Sequence, residues 1–139
     1  MYPGPGAMIT FVDEDADRRF DRVRELCLAL PEAEAAPAGD RHTAFTVRKR
    51  IFAYHLVDHH GDGRVALCAK VPAGENTTLI DQDPARWFMP AYVGPRGWVG
   101  LDLEATPLDW DEVHDLVTGS YRLVAPKTLA RRLDSPTSP

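Results

Sequence analysis

The densest set of potential metal ligands and proton carriers in the chain is His55, Asp58, His59, His60 and Asp62. Imidazole and carboxylate are donors that suit Zn²⁺ or Ni²⁺. His55 falls in an apolar, strand-like run and the other four in the turn after it, so no ligand spacing typical of a zinc site arises. The expectation is a solvated polar turn and no bound metal. Cys27 and Cys68 lie far apart, form no CxxC pair, and each sits in an apolar pattern. They are expected to be two reduced core thiols. Ser120 has no identifiable base partner, so nucleophilic catalysis has no support. The chain has no Gly-rich phosphate loop, no nucleophile elbow and no HExxH. Its Gly94-Pro95-Arg96-Gly97 segment precedes a strand rather than a helix, which excludes a dinucleotide fingerprint. These residue types point to a non-enzymatic protein with no cofactor.

Binding chemistry is better represented. Arg41, His42, Arg48, Lys49, Arg50, Arg64 and Lys70 gather around two hairpin turns. Such cations can hold phosphates with salt-sensitive affinity, and they also serve solubility and protect sheet edges. The chain as a whole has a net charge of −5, which argues against a broadly basic nucleic-acid binder. Residues 41–90, however, hold seven basic and five acidic side chains, so an anion-binding face must come from there. Arg48, Lys49 and Arg50 are the first candidates for DNA contacts, joined by Lys127, Arg131 and Arg132 if the last helix packs near them. The expected binding is to double-stranded DNA, weak and sequence-tolerant.

A second candidate surface is the stretch from Trp87 to Trp98, which concentrates aromatic, proline and glycine residues. Proline fixes φ and glycine opens conformations closed to other residues, so this is a shaped loop. Trp87, Phe88, Tyr92 and Trp98 could stack on bases or enclose a small ligand, or serve as core or clasp residues. His42, Lys70, Tyr92, Arg96 and Trp98 form the candidate ligand or partner surface. Ser120, Tyr121 and Lys127 could help line a pocket there. Trp98 is expected to be buried against the C-terminal helix, although Val99, Leu101 and Leu103 form the more apolar side of its strand.

The elements that must position these residues follow from periodicity. A helix is predicted from about Glu14 to Ala29, with Asp13 as cap and Phe20, Val23, Leu26, Cys27 and Leu30 on its apolar face. Pro31 ends it. Thr43–Val47, Ile51–Val57 and Arg64–Lys70 read as an antiparallel meander, the middle strand apolar on both faces as a central strand would be. A short helix is predicted for Ala73–Gln82 and a strand for Trp98–Leu103. Asp109 caps a helix that runs to about Ala125, with Glu112 at its third position, and Pro126 opens a last helix to Leu133. Residues 1–8 are expected to be a loose extension, with Met8 a possible true start. Residues 9–133 then form one domain, and 134–139 a disordered tail. At 139 residues and 44% hydrophobic the chain can bury one core without staples. The order of elements specifies an α+β two-layer sandwich, with helices packed on one face of an antiparallel sheet. No apolar run is long enough to span a bilayer and the N-terminus lacks a secretory pattern, so a cytoplasmic location is expected.

Several pieces occur in a telling order: Leu30-Pro31; His42 to Val47 with Lys49, Ile51 and Phe52; Leu67 to Lys70; Pro90 to Gly94; Gly97 to Val99; and Ser120 to Lys127. In these the chain resembles the MmcQ/YjbR-like family of small bacterial proteins, from about Phe20 to Leu133. The resemblance implies a frataxin-like (CyaY-like) sandwich and DNA binding through wing-like loops. The frataxin likeness would further suggest iron on an acidic first helix, but Arg18, Arg19, Arg22 and Arg24 interrupt Asp13, Glu14, Asp15, Asp17 and Asp21. The expected function is a DNA-binding protein of this type. The alternatives are a small-ligand or protein-partner module using the loop 87–98, or an uncharacterised enzyme.

Overall fold

In the computed structural model, residues 17–39, 41–58, 61, 63–105 and 107–134 are described. Asp13, Glu14, Asp15, His59, His60 and Asp62, the extension 1–8 and residues 135–139 lie outside them. Asp134, assigned above to the tail, is tied back by Arg122 at 2.8 Å.

Helix α1 occupies residues 17–28. Strands β1 (Ala33–Pro37), β2 (Thr43–Val47), β3 (Arg50–Val57) and β4 (Val65–Lys70) follow. Next come α2 (Glu75–Gln82), the two-residue strand β5 (Trp87–Phe88), a 3-10 turn (Gly94–Arg96) and β6 (Trp98–Asp102). Helices α3 (Trp110–Val124) and α4 (Lys127–Arg132) complete the order. The strands make a six-stranded sheet in the order β1-β2-β3-β4-β6-β5, antiparallel throughout. The α+β sandwich and the meander therefore hold. Strands β1 and β5 were not anticipated. β1 is exposed along most of its length and shows no alternation, and β5 lies inside what reads as a loop.

Register assigns each side chain to a face, because paired residues of adjacent strands point the same way. Phe45, Ala53, Ala69 and Val99 form one row, and His55, Leu67, Leu101 and Trp87 the next. Val23 and Cys27 of α1 and Val113, Val117 and Tyr121 of α3 close over these rows in one buried cluster. The cap of α3 is as predicted: the Asp109 carboxylate accepts from the amides of Asp111 and Glu112. Between β2 and β3 the register slips at Phe45/Thr46, leaving Phe52 as a bulged residue that also turns into this core.

Ser120 explains how the bulge is tolerated. Its fully buried hydroxyl donates to the Phe52 carbonyl at 2.6 Å and accepts from the Lys70 amide at 2.9 Å. The two backbone groups would otherwise be buried and unpaired, each at a cost of about 1–3 kcal/mol. Tyr121, also fully buried, donates from its hydroxyl to the Pro31 carbonyl at 2.6 Å. Both residues bolt α3 to the sheet and to the end of α1, and neither is among the residues lining the two concavities of the opposite face. Lys127 is exposed on α4.

Candidate functional site

The opposite face of the sheet has a different composition. Its central row is Ala44, Tyr54, Cys68, Gly100 and Phe88 across five strands. The flanking rows are Lys70 with Trp98, and Leu56 with Ala66 and Asp102. Small residues dominate the floor, and what covers them is the 88–97 loop instead of a helix. At Gly100 the fit is close: a Cβ there would stand 2.4 Å from the Phe88 ring. The Arg64 guanidinium lies over that ring, 4.1 Å from its centroid.

The loop is held by its own backbone. The Val93 amide donates to the Ala91 carbonyl at 2.8 Å, and the Gly94 amide to the Pro90 carbonyl at 3.0 Å. Tyr92, between Ala91 and Val93, has φ of 68°. This is the γ-turn with positive φ at its centre, the rare and strained hand. A tyrosine in that conformation costs about 1–3 kcal/mol. The residue is 77% exposed. The loop is clamped from outside by Asn76 of α2, a buried amide whose Nδ2 donates to the carbonyls of Gly94 at 3.0 Å and Trp98 at 3.1 Å.

Two concavities result. A groove of about 420 Å³ is lined by Lys49, Arg50, Lys70 and Arg96 around Tyr54 and Trp98, with Leu123 and Val124 of α3 at its rim. No carboxylate lines it, and none of the four cations forms an ion pair among the described residues. Beside it, sharing Tyr54 and Val93, lies an apolar recess of about 220 Å³ that takes in His42, Leu56, Cys68, Pro90 and Tyr92. His42 Nδ1 accepts from the Val57 amide at 3.0 Å, which fixes its ring as the Nε2–H tautomer when neutral.

The structure thus joins parts of two sets that sequence reasoning kept separate. Lys49 and Arg50 of the basic hairpin meet Lys70, Arg96 and Trp98 of the aromatic surface in one groove, and His42 and Tyr92 lie in the adjoining recess. Arg48 is turned elsewhere. Its guanidinium makes a two-pronged contact with Glu32, at 2.6 and 3.1 Å, and this holds the Glu32 carboxyl below its ordinary range. Lys127, Arg131 and Arg132 are exposed on α4 and do not line the groove. Trp98 is buried, as expected, but on the loop-covered face: its ring tilts against Tyr54 at 5.6 Å, and only the end of α3 reaches its groove. The alternation had signalled this, since Val99, Leu101 and Leu103 take the core side. Tyr54 and Asn76 were missed. Tyr54 sits in a run apolar on both faces, and nothing distinguishes Asn76 from other polar residues of a short helix.

The hairpin that brings Lys49 to the groove is also strained. Val47 pairs with Arg50, leaving a two-residue loop in which Arg48 and Lys49 have φ of 51° and 68°. Positive φ at both central positions is the type I′ geometry, which Asn-Gly fits and side-chain-bearing cations do not.

His55, the centre of the polar cluster in the sequence, faces the helix layer. It is buried edge-on to Phe20 of α1, with ring centroids 4.7 Å apart. Burial, with a smaller contribution from His42, pushes its pKa down to about 4. Among the described residues no group of His, Cys, Asp and Glu is placed to hold a metal ion. Neither Cys27 in α1 nor Cys68 on the loop-covered sheet face is in a disulfide; both are buried, and burial pushes the Cys27 thiol up to about 12. Among the described residues no helix is long and apolar enough to cross a membrane.

A family model described as YjbR matches residues 28–123. Among solved structures, the crystal structure of the Deinococcus radiodurans protein DR2400, with a DUF419 domain, is similar at 25% identity. That likeness covers 86% of this chain and 91% of the other, with a TM-score of 0.65. No curated protein matches.

Proposed function

The chain belongs to the YjbR family, and we propose that it is a non-enzymatic binding protein whose loop-covered sheet face takes the phosphate backbone of DNA. The observation that carries this reading is the convergence of Lys49, Arg50, Lys70 and Arg96 in one groove without a carboxylate. Like charges repel, so a fold that gathers them without internal partners leaves them to an anion from outside. Counterion release then supplies affinity without reading sequence. The net charge of −5 keeps that affinity low and restricts it to this groove. Tyr54 and Trp98 give the groove an aromatic floor.

The test is a titration of labelled DNA at several salt concentrations, with wild type and a Lys70→Ala/Arg96→Ala variant. Each phosphate contact removed should reduce the slope of log affinity against log salt by about one, so the double variant should lose about two. An Arg131→Ala/Arg132→Ala variant should keep the wild-type slope. Equal slopes for wild type and the groove variant would remove the groove from DNA binding.

The dimensions of the groove favour a second reading, a small anionic ligand. About 420 Å³ falls in the range of small-molecule sites. Thermal stabilisation by small phosphorylated or carboxylated compounds, with no DNA shift at low salt, would decide for it.

A further inference from the structure

We propose that the groove takes a small phosphate ester whose apolar ring lies against Ile51, Leu123 and Val124. This deepens the reading of the groove as an anion site and rests on it. One cavity holds both kinds of wall. Lys49, Arg50, Lys70 and Arg96 supply its charge, and Ile51, Val93, Leu123 and Val124 line it with aliphatic carbon.

Leu123 is the residue that a phosphate backbone alone leaves unexplained. Leu116, Ser120 and Leu123 are spaced by four and then three residues on α3, which places them in one stripe. Leu116 and Ser120 are buried, and Ser120 bonds the backbone of β3 at Phe52 and of β4 at Lys70. Leu123, one turn further on, lies past that cover and is 45% exposed. A single exposed leucine is ordinary. This one shares a concave wall with Ile51, Val93 and Val124, and such a wall gains free energy only when an apolar group displaces its water. A phosphodiester backbone brings charge to the cations and no ring to the wall.

Charge and size select the class of ligand. The four cations have no carboxylate among them in the groove, so a group carrying close to two negative charges is held better than a singly charged one. A terminal phosphate also offers several acceptor oxygens to the Arg50 and Arg96 guanidiniums and the two lysines. The volume of about 420 Å³ leaves room for a ring system beside the phosphate. Tyr54 and Trp98 add aromatic surface on which that ring can pack.

Calorimetric titration with naphthyl phosphate, inorganic phosphate and naphthol separates the two walls. Wild type should bind naphthyl phosphate about tenfold more tightly than either of the others. Leu123→Ser should bring naphthyl phosphate down to the level of inorganic phosphate and leave inorganic phosphate unchanged. Leu123→Met should keep the wild-type preference. Both substitutions are at an exposed position, so they leave the core intact. Lys70→Ala/Arg96→Ala should weaken both phosphates. Naphthyl phosphate and inorganic phosphate bound within about twofold of each other would overturn the apolar wall and leave the anion groove standing. Naphthol bound as tightly as naphthyl phosphate would overturn the proposal from the other side, because the cations would then contribute nothing. Binding of neither phosphate, while DNA keeps a salt slope that depends on Lys70 and Arg96, would overturn this proposal and spare the groove as a DNA site. Loss of both would overturn both.

Discussion

The two faces of the sheet are built on opposite principles. On the helix-covered face Phe45, Phe52, Leu67, Leu101 and Tyr121 are fully buried, and the polar hydroxyls of Ser120 and Tyr121 are paired. On the other face the floor is Ala44, Ala66, Cys68 and Gly100, the cover is a loop, and four cations face one groove. Of the five described non-glycine residues with positive φ, Glu32, Arg48, Lys49, Asp58 and Tyr92, two, Lys49 and Tyr92, line the concavities of the second face. One sheet therefore separates a surface that accounts for stability from a surface that tolerates like-charge crowding. The second pattern is expected of a site where function opposes stability.

The comparison is sharpest for matched truncations. Phe45→Ala should cost about 3–5 kcal/mol, the sum of lost transfer energy and an enclosed cavity. Trp98→Ala should cost about 2 kcal/mol despite the larger ring, because the space it leaves opens onto the groove and only the transfer term is lost. Denaturant melts measure both. Equal losses would mean that the loop-covered face is a second core.

Titration separates the faces next. His55 is held neutral by burial against α1, with its pKa lowered from 6.5 to about 4. A lowered pKa for a base means that the unfolded chain binds the proton more readily. Stability is therefore complete above pH 6.5 and falls as the pH drops toward 4. The full loss is about 3 kcal/mol. His55→Phe should flatten the stability profile across that window in pH-dependent melts. An unchanged profile would place the titration elsewhere.

Asn76→Ala comes third, at about 2 kcal/mol, because the carbonyls of Gly94 and Trp98 lose their buried donor. Hydrogen exchange should quicken at the amides of Val93, Gly94, Arg96 and Gly97 and stay slow in the helix-side core. The smallest effect is expected at the hairpin. Lys49→Gly should leave stability unchanged or raise it by up to about 1 kcal/mol, as the positive φ is relieved. It should still reduce the salt slope of DNA binding by about one. Stability rising while binding falls at a single residue is the behaviour that distinguishes this face from the other.

Most of the first face was legible in the sequence. Phe20, Val23, Cys27 and Leu30 keep helical spacing, Asp109 is a capping residue followed by acidic ones, and Val99, Leu101 and Leu103 alternate. In each case local periodicity and burial agree. The second face was legible only in pieces, because its site is assembled from residues distant in sequence. Lys49 to Arg96 is a separation that only the sheet order closes, and no local pattern encodes it. Strand β1 was hidden for a related reason: most of it is exposed at a sheet edge, so its pairing with β2 leaves no alternation to read. Ser120 and Asn76 could be seen as polar residues, but their service to backbone groups of other elements could not.

The central claim is that the loop-covered face, and not the helices, meets the ligand. Chemical-shift mapping of the labelled protein during titration with a short DNA strand tests it most directly. The account predicts salt-sensitive shifts concentrated at Lys49, Arg50, Tyr54, Lys70 and the Tyr92–Trp98 segment, with α1 and α4 undisturbed. Shifts centred on Arg131 and Arg132 of α4, with the groove silent, would contradict it.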